Sequence, residues 1–126
     1  MEICHLKGII HRDLKLENVL FGDKERTLVK VVDFGISGRC KGNAAEKNNA
    51  GTLPYMAPEV LMGHATFASP AQDVWAIGVM LFAMIFHKFP FKDVTPEGTR
   101  NQIVNEPVKF KSSRKRISEE CKDLLR

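Results

Sequence analysis

Residues 11–18 read HRDLKLEN, and residues 33–35 read DFG. Within six residues the first stretch offers a carboxylate (Asp13), an ammonium (Lys15) and an amide (Asn18), in a polar loop between the apolar pair Ile9 and Ile10 and the short run NVLF at 18–21. The second stretch follows a β-branched run, LVKVV at 28–32. Gly22 and Asp23, between the two runs, give a hairpin-like turn. Two strands joined there bring Asn18 and Asp33 side by side. An amide oxygen beside a carboxylate suits a hard cation such as Mg²⁺, which takes oxygen ligands and keeps its other positions for water and phosphates. Asp13 would lie close by, able to accept a hydrogen bond from a hydroxyl nucleophile, and Lys15 could neutralise charge on a phosphoryl group in transfer.

The remainder of the chain limits what this loop can serve. With 126 residues there is room for one ordinary domain. Hydrophobic residues at 44% and charged residues at 27% give the balance of a globular protein, not of a disordered tail. The net charge of +4 is mild and comes mostly from one block, KFKSSRKR at 109–116, so it is no footprint of a nucleic-acid or membrane surface. That block reads as a solvated connection, with docking of an anionic partner as its sharper alternative. Three separated cysteines, Cys4, Cys40 and Cys121, argue against a disulfide framework and a zinc site. Cys40, between Arg39 and Lys41, is either an inert exposed thiol or one whose pKa those charges lower. No signal peptide is evident at Met1, and the longest apolar run, VWAIGVMLFAMIF at 74–86, is too short to span a bilayer. The expectation is an intracellular, cytoplasmic protein with no nucleic-acid or membrane partner.

Along the chain, residues 35–51 show neither helical nor strand period and read as a long loop. Helical segments follow: a short one over 59–62 opened by Pro58, a long one over 71–86 that is apolar almost all round and so central, a weaker one over 96–105, and a last one beginning at Ser118 with Cys121, Leu124 and Leu125 as its stripe. Both ends of the sequence read as cut within helices.

These motifs together resemble the protein kinases. HRDLKLEN is similar to the catalytic loop of that family, DFG to its metal-binding motif, Ala57-Pro58-Glu59 to the end of its activation segment and DVWAIG at 73–78 to the start of its central helix. Any one arises readily by chance, and Asp13 or Asp33 alone would read as a turn-capping residue. Four in register outweigh that bland reading. The resemblance implies an α+β, protein-kinase-like fold: a mostly helical C-terminal lobe with a short β-hairpin carrying the catalytic and metal loops, residues 1–126 being a partial kinase domain without the N-terminal lobe. It implies Asp13 and Lys15 as catalytic residues, Asn18 and Asp33 as Mg²⁺ ligands, and Glu17, Asn18, Leu20 and Asp33 as the ATP- and metal-facing set. Leu20 would floor the adenine site, backed by Met80 and Met84, and Glu17 would also read basic substrate. Thr52, in GTLPY at 51–55, would bond Asp13 and Lys15 on the substrate side. His11 and Phe34 would pack in a spine anchored by Asp73. Lys15, two residues after Asp13, is the serine/threonine pattern. HRDLKLENVL and ISEECKDLL look most like the calcium/calmodulin- and AMP-dependent group.

Several departures from that pattern carry expectations of their own. The nine glycines include no G-x-G pair, and only ten residues precede His11, so the phosphate loop, strand lysine and helix glutamate of a complete kinase domain are missing from this sequence. These 126 residues alone are therefore expected not to turn over, and to be marginally stable or unfolded because the partner that the family supplies for Glu59 lies beyond residue 126. Arg12 beside Asp13 is typical of kinases activated by loop phosphorylation. Yet residues 38–51 contain no Ser, Thr or Tyr; Asn48 stands where a phosphothreonine is common, and Glu46 is the only acid there. Ala83 replaces a substrate-facing glutamate, and His87 stands where glycine is commoner. The reading is thus a protein serine/threonine kinase lobe using ATP and Mg²⁺ on protein substrates. Its rival is a non-catalytic, kinase-derived binding module that meets a regulatory partner through residues 96–105 and the basic block.

Overall fold

The computed structural model describes residues 1–39, 51–63, 68–110 and 117–126. The expectations for residues 40–50, including Cys40, Glu46 and Asn48, and those for 111–116 of the basic block lie outside the described residues.

The hairpin forms where the apolar runs and turn residues place it. Strand β2 (Val19–Phe21) pairs antiparallel with β3 (Val29–Val31), with Val19 opposite Val31 and Phe21 opposite Val29. Asp23 shapes the turn by accepting from the Thr27 and Leu28 amides at 2.8 and 3.1 Å and from the Thr27 hydroxyl, and Gly22 N donates to Leu28 O at 2.8 Å. A second pair departs from the loop reading of 35–51: β1 (Ile9–Ile10) pairs antiparallel with β4 (Gly38–Arg39). Two residues carry no visible period, and it is the partner strand that makes them a strand.

Among the described residues five α-helices flank these sheets. Helix α1 is Glu2–Leu6 and α2 is Pro58–Leu61, opened by its proline. Helix α3 is Pro70–Phe86 and α4 is Pro96–Asn105, whose N-cap Thr95 accepts from Gly98 N at 3.0 Å. Helix α5 is Glu119–Leu124, capped by Ser118 through the Cys121 amide at 3.2 Å. His87 ends α3 at φ 55°, a left-handed cap that explains why glycine is the commoner residue at such a position.

The core gathers where α3 meets the loops: Leu14, Tyr55, Ala76, Val79 and Met80 pack together, with Val19, Val31 and Phe89 around them. Further along α3, Phe82 is 2% exposed against Phe86 and Phe110, at ring-centroid distances of 4.5 and 6.2 Å. The helix is not buried all round, and this corrects the sequence reading. Val74, Ile77 and Met84 are 59%, 39% and 54% exposed, because within the described residues nothing covers that side. Val74 and Trp75 border a groove of about 700 Å³ that Glu59, Phe91, Ile103 and Leu124 also line. Trp75 Nε1, buried there, has no hydrogen-bond partner among the described residues. The proposed stripe of α5 is likewise half realised: Cys121 and Leu125 are partly buried, while Leu124 stays exposed. No described helix is long and apolar enough to cross a membrane.

Phe82→Ala is expected to lower unfolding stability by about 3–5 kcal/mol, the usual cost of emptying a buried phenylalanine site. Urea unfolding of the native-length polypeptide measures this, and a loss below about 1 kcal/mol would mean that the Phe82–Phe86–Phe110 cluster is not a core.

Candidate active site

The polar loop after β1 is held from below by one buried side chain. Asp73, 1% exposed near the start of α3, accepts from the His11 amide at 2.9 Å through Oδ2 and from the Arg12 amide at 3.0 Å through Oδ1. His5 Nε2 of α1 lies 2.8 Å from Oδ2. These amides need such an acceptor because Arg12 takes φ 69°, which turns the chain away from any strand ladder. His11, fully buried, sets its Nε2 3.0 Å from Val32 O and its ring 4.6 Å from that of Phe34, joining the loop to the DFG stretch.

From this base the loop presents a closed set of contacts. Lys15 Nζ donates to Asp13 Oδ2 at 2.7 Å and to Thr52 Oγ1 at 3.0 Å, and the Thr52 hydroxyl donates to Asp13 Oδ1 at 2.9 Å. Thr52 comes from 39 residues away in sequence, so the triangle is a product of the fold. Asn18, 6% exposed at the end of a single 3-10 turn (Leu16–Asn18), donates its Nδ2 to Asp13 O at 2.9 Å, which turns Oδ1 the other way. The Asn18 carbonyl accepts from Val32 N at 2.9 Å, and the next residue is Asp33, exposed and held at φ 63°. The hairpin thus brings Asn18 and Asp33 to neighbouring positions, as their spacing predicts.

Several residues in the site lie beyond sequence reasoning or are placed differently from it. His5 was unassigned; only its position on the face of α1 next to the loop could have pointed to it. Tyr55 OH lies 3.4 Å from Glu17 Oε2, which ties an exposed Glu17 to the core cluster. The two methionines that the resemblance places behind the adenine floor are unlike: Met80 is 8% exposed within the core, Met84 54% exposed. Leu20 is 49% exposed and Phe34 41%.

Electrostatics follows from the triangle. Burial pushes the Asp13 carboxyl up, but the hydrogen bonds from Lys15 and Thr52 and the charge of Lys15 outweigh it and hold the group below its ordinary 3.8. The hydrogen bond to Asp13 raises Lys15 above its ordinary 10.5, against some desolvation. The pair is therefore carboxylate and ammonium at neutral pH. A carboxylate this well satisfied is a weak base, suited to orienting a hydroxyl rather than to stripping it early. Burial raises Tyr55, which stays protonated. Asn18 and Asp33 are two oxygen donors, the count with which Mg²⁺ keeps places for water and phosphate, so the residues present fit that ion. The described residues include no group of three or more His, Cys, Asp or Glu able to hold a metal.

The protein-kinase-domain model matches residues 1–126. This chain belongs to the protein kinase family. It is 38% identical over 122 residues to the human SNF-related serine/threonine-protein kinase, covering 97% of this chain and 15% of that one. It is 38% identical over 128 residues to calcium-dependent protein kinase 8 of Arabidopsis thaliana, covering 100% of this chain and 24% of the relative. Mouse testis-specific serine/threonine-protein kinase 5 is 38% identical over 124 residues, 98% of this chain and 32% of that one. These names place the chain in the serine/threonine branch of the kinase family, in line with the grouping that HRDLKLENVL and ISEECKDLL suggest. The chain spans between 15% and 32% of the length of these relatives.

The Asp13–Lys15 contact sets a pH dependence whose sign is fixed. A carboxyl with a lower pKa folded than unfolded contributes stability that is whole above about pH 4 and is lost as pH falls through the folded value. A lysine raised on folding contributes below its unfolded value and loses that contribution as pH rises through the folded one. The stability gap between wild type and Asp13→Asn is therefore expected to be constant from pH 7 to about pH 4 and to narrow below it. Unfolding midpoints across that range measure the gap; one that stays constant down to pH 2 would show that the pair does not stabilise the fold.

Proposed function

We propose that the chain is the catalytic-loop half of a Mg²⁺- and ATP-dependent protein serine/threonine kinase, acting on serine or threonine hydroxyls of protein substrates inside the cell, in the cytoplasm. The observation that carries this reading is the Asp13–Lys15–Thr52 triangle, in which a carboxylate, an ammonium and a hydroxyl meet within 3.0 Å beside Asn18 and Asp33. Asp13 orients the acceptor hydroxyl and takes its proton late, Lys15 neutralises charge on the transferring phosphoryl group, and Thr52 fixes the angle between them. Asn18 Oδ1 and the Asp33 carboxylate would hold Mg²⁺, which when bound neutralises phosphate charge and orients the phosphates. Leu20 would support the adenine ring, and Glu17, restrained by Tyr55, would read a basic residue in the substrate.

Residues 1–126 by themselves supply a floor and metal ligands for ATP but no Gly-rich loop or strand lysine. This chemistry asks the protein chiefly for positioning, so the reading includes that these residues alone form a partial kinase domain that does not turn over. The groove between α2, α3 and α4 favours a second reading, a non-catalytic kinase-derived module that binds a regulatory protein partner through α4. The intact triangle favours the enzyme, because a binding module has no use for a satisfied carboxylate–ammonium–hydroxyl set next to an amide and a second carboxylate.

The test begins with the intact mass of the native polypeptide, followed by an assay of phosphoryl transfer from Mg-ATP to a serine/threonine peptide mixture. The native-length protein is expected to transfer phosphate, EDTA to abolish transfer, and Asp13→Asn to lower it about 10²–10⁴-fold. Wild-type transfer in Asp13→Asn would remove Asp13 from the reaction, and a native protein that binds a partner but never turns over would end the enzyme reading.

A further inference from the structure

Beside the Asp13–Lys15–Thr52 triangle the fold leaves a cavity of about 20 Å³, whose wall includes Asp13, Leu14, Thr52, Tyr55, Gln72 and Ala76. It lies in the interior, since Leu14, Tyr55, Gln72 and Ala76 are all buried. The proposed chemistry uses neither this cavity nor Gln72. A cavity takes up a water molecule when it offers about 10–15 Å³ or more and two to four polar partners, whereas one lined by apolar groups alone stays dry. The volume meets the first condition.

The polar partners come from α3 and from the loop. Gln72, 7% exposed on α3, carries an amide with two donors and two acceptor lone pairs, so a bond made elsewhere leaves capacity for a water. Leu14 supplies main chain. It follows Asp13, is 1% exposed and lies in neither helix nor strand, and its amide and carbonyl have no hydrogen-bond partner among the described residues. Buried main-chain groups are nearly always paired, and with water where protein does not reach them. Asp13 and Thr52, which share the wall, keep lone pairs to spare after their bonds to each other and to Lys15.

We propose that this cavity is a water site, and that Gln72 is a positioning residue that holds one water molecule against the Leu14 main chain. Two consecutive residues of α3 then secure the loop. Asp73 takes the amides of His11 and Arg12 directly, and Gln72 takes Leu14 through the water. Asp13 stands between these anchors, so its backbone is fixed on both sides while its carboxylate meets Thr52 Oγ1 at 2.9 Å. A well-ordered bridging water serves nearly as well as a direct hydrogen bond. An apolar group of the same volume would fill the cavity and leave Leu14 unpaired. The water site rests on geometry alone, and only its effect on turnover rests on the kinase reading.

The experiment is a high-resolution crystal structure of the native-length polypeptide, with Gln72→Met, Gln72→Asn and Val60→Ile beside wild type. Wild type is expected to show one water within hydrogen-bond distance of the Gln72 side chain and the Leu14 main chain, and Gln72→Met to lack it. Val60 also lines the cavity, and isoleucine there adds a single carbon to the wall. In a dry cavity that carbon would gain contacts and raise the urea midpoint; in a wet one it displaces a bonded water and is expected to lower it. Gln72→Met is expected to lower kcat about tenfold with KM for ATP unchanged, within the up to about 10²-fold that a shift of about 1 Å at a reacting group costs. Gln72→Asn, which keeps an amide at this position, is expected to recover most of the wild-type kcat. Should Gln72→Met not fold, the wild-type density and the Val60→Ile midpoint decide. A wild-type cavity without water, or a raised midpoint in Val60→Ile, would overturn the water site. Wild-type kcat in Gln72→Met, or a loss as deep in Gln72→Asn, would overturn the positioning role. A wild-type protein that never transfers phosphate but holds the water would overturn the kinase reading and leave the water site standing.

Discussion

Everything in the site depends on a carboxylate that itself does no chemistry. Asp73 is buried to 1% exposure, and a buried charge is costly unless hydrogen bonds satisfy it. Here the satisfaction is mutual. The amides of His11 and Arg12 have no ladder or helix to join, and an unpaired buried amide costs about 1–3 kcal/mol. Asp73 lies 62 and 61 residues away in sequence from the amides it accepts. The loop therefore cannot take its final shape until α3 has docked, and the geometry of Asp13 is a tertiary property throughout.

The same dependence explains where the chain tolerates strain. Arg12 and Asp33 both adopt positive φ, in the region that favours glycine, and each such residue costs of the order of 1–3 kcal/mol when its surroundings must enforce it. They occupy corresponding places in the two functional loops, each next to a group whose direction matters: Arg12 precedes Asp13, and Asp33 is itself a candidate ligand. Asp73 enforces the first. The second is bracketed by the Val32–Asn18 backbone bond on one side and the contact of His11 with Phe34 on the other. Glycine would relieve both positions, but it would also let the loops relax away from the orientation that the strain maintains.

How much of this was legible in the sequence follows from how local each feature is. The hairpin, the bounds of α4 and the Ser118 cap rest on neighbours a few residues apart, and the hairpin in turn brings Asn18 near Asp33, so spacing and turn chemistry sufficed for them. Strand β4 was illegible because two residues have no period and Ile10 pairs with Gly38 only once the fold exists. His5 escaped notice because its partner is 68 residues away. The exposure of Val74, Ile77 and Met84 escaped for the opposite reason: an apolar helix announces that its faces prefer cover, but not which face is covered by the residues at hand. The motifs themselves told which side chains to watch, and Thr52 joined Asp13 through the family pattern rather than through any local rule.

The two glycines beside Arg12 show how function can be written in residues that do no chemistry. At most positions a glycine is merely permissive, but at 38 and 51 it is the missing side chain that defines the surface. A Cβ at Gly38 would stand 3.0 Å from Arg12 Cζ, tighter than ordinary packing, and Gly51 can approach the Arg12 carbonyl because it has neither a Cβ nor an aversion to φ 133°.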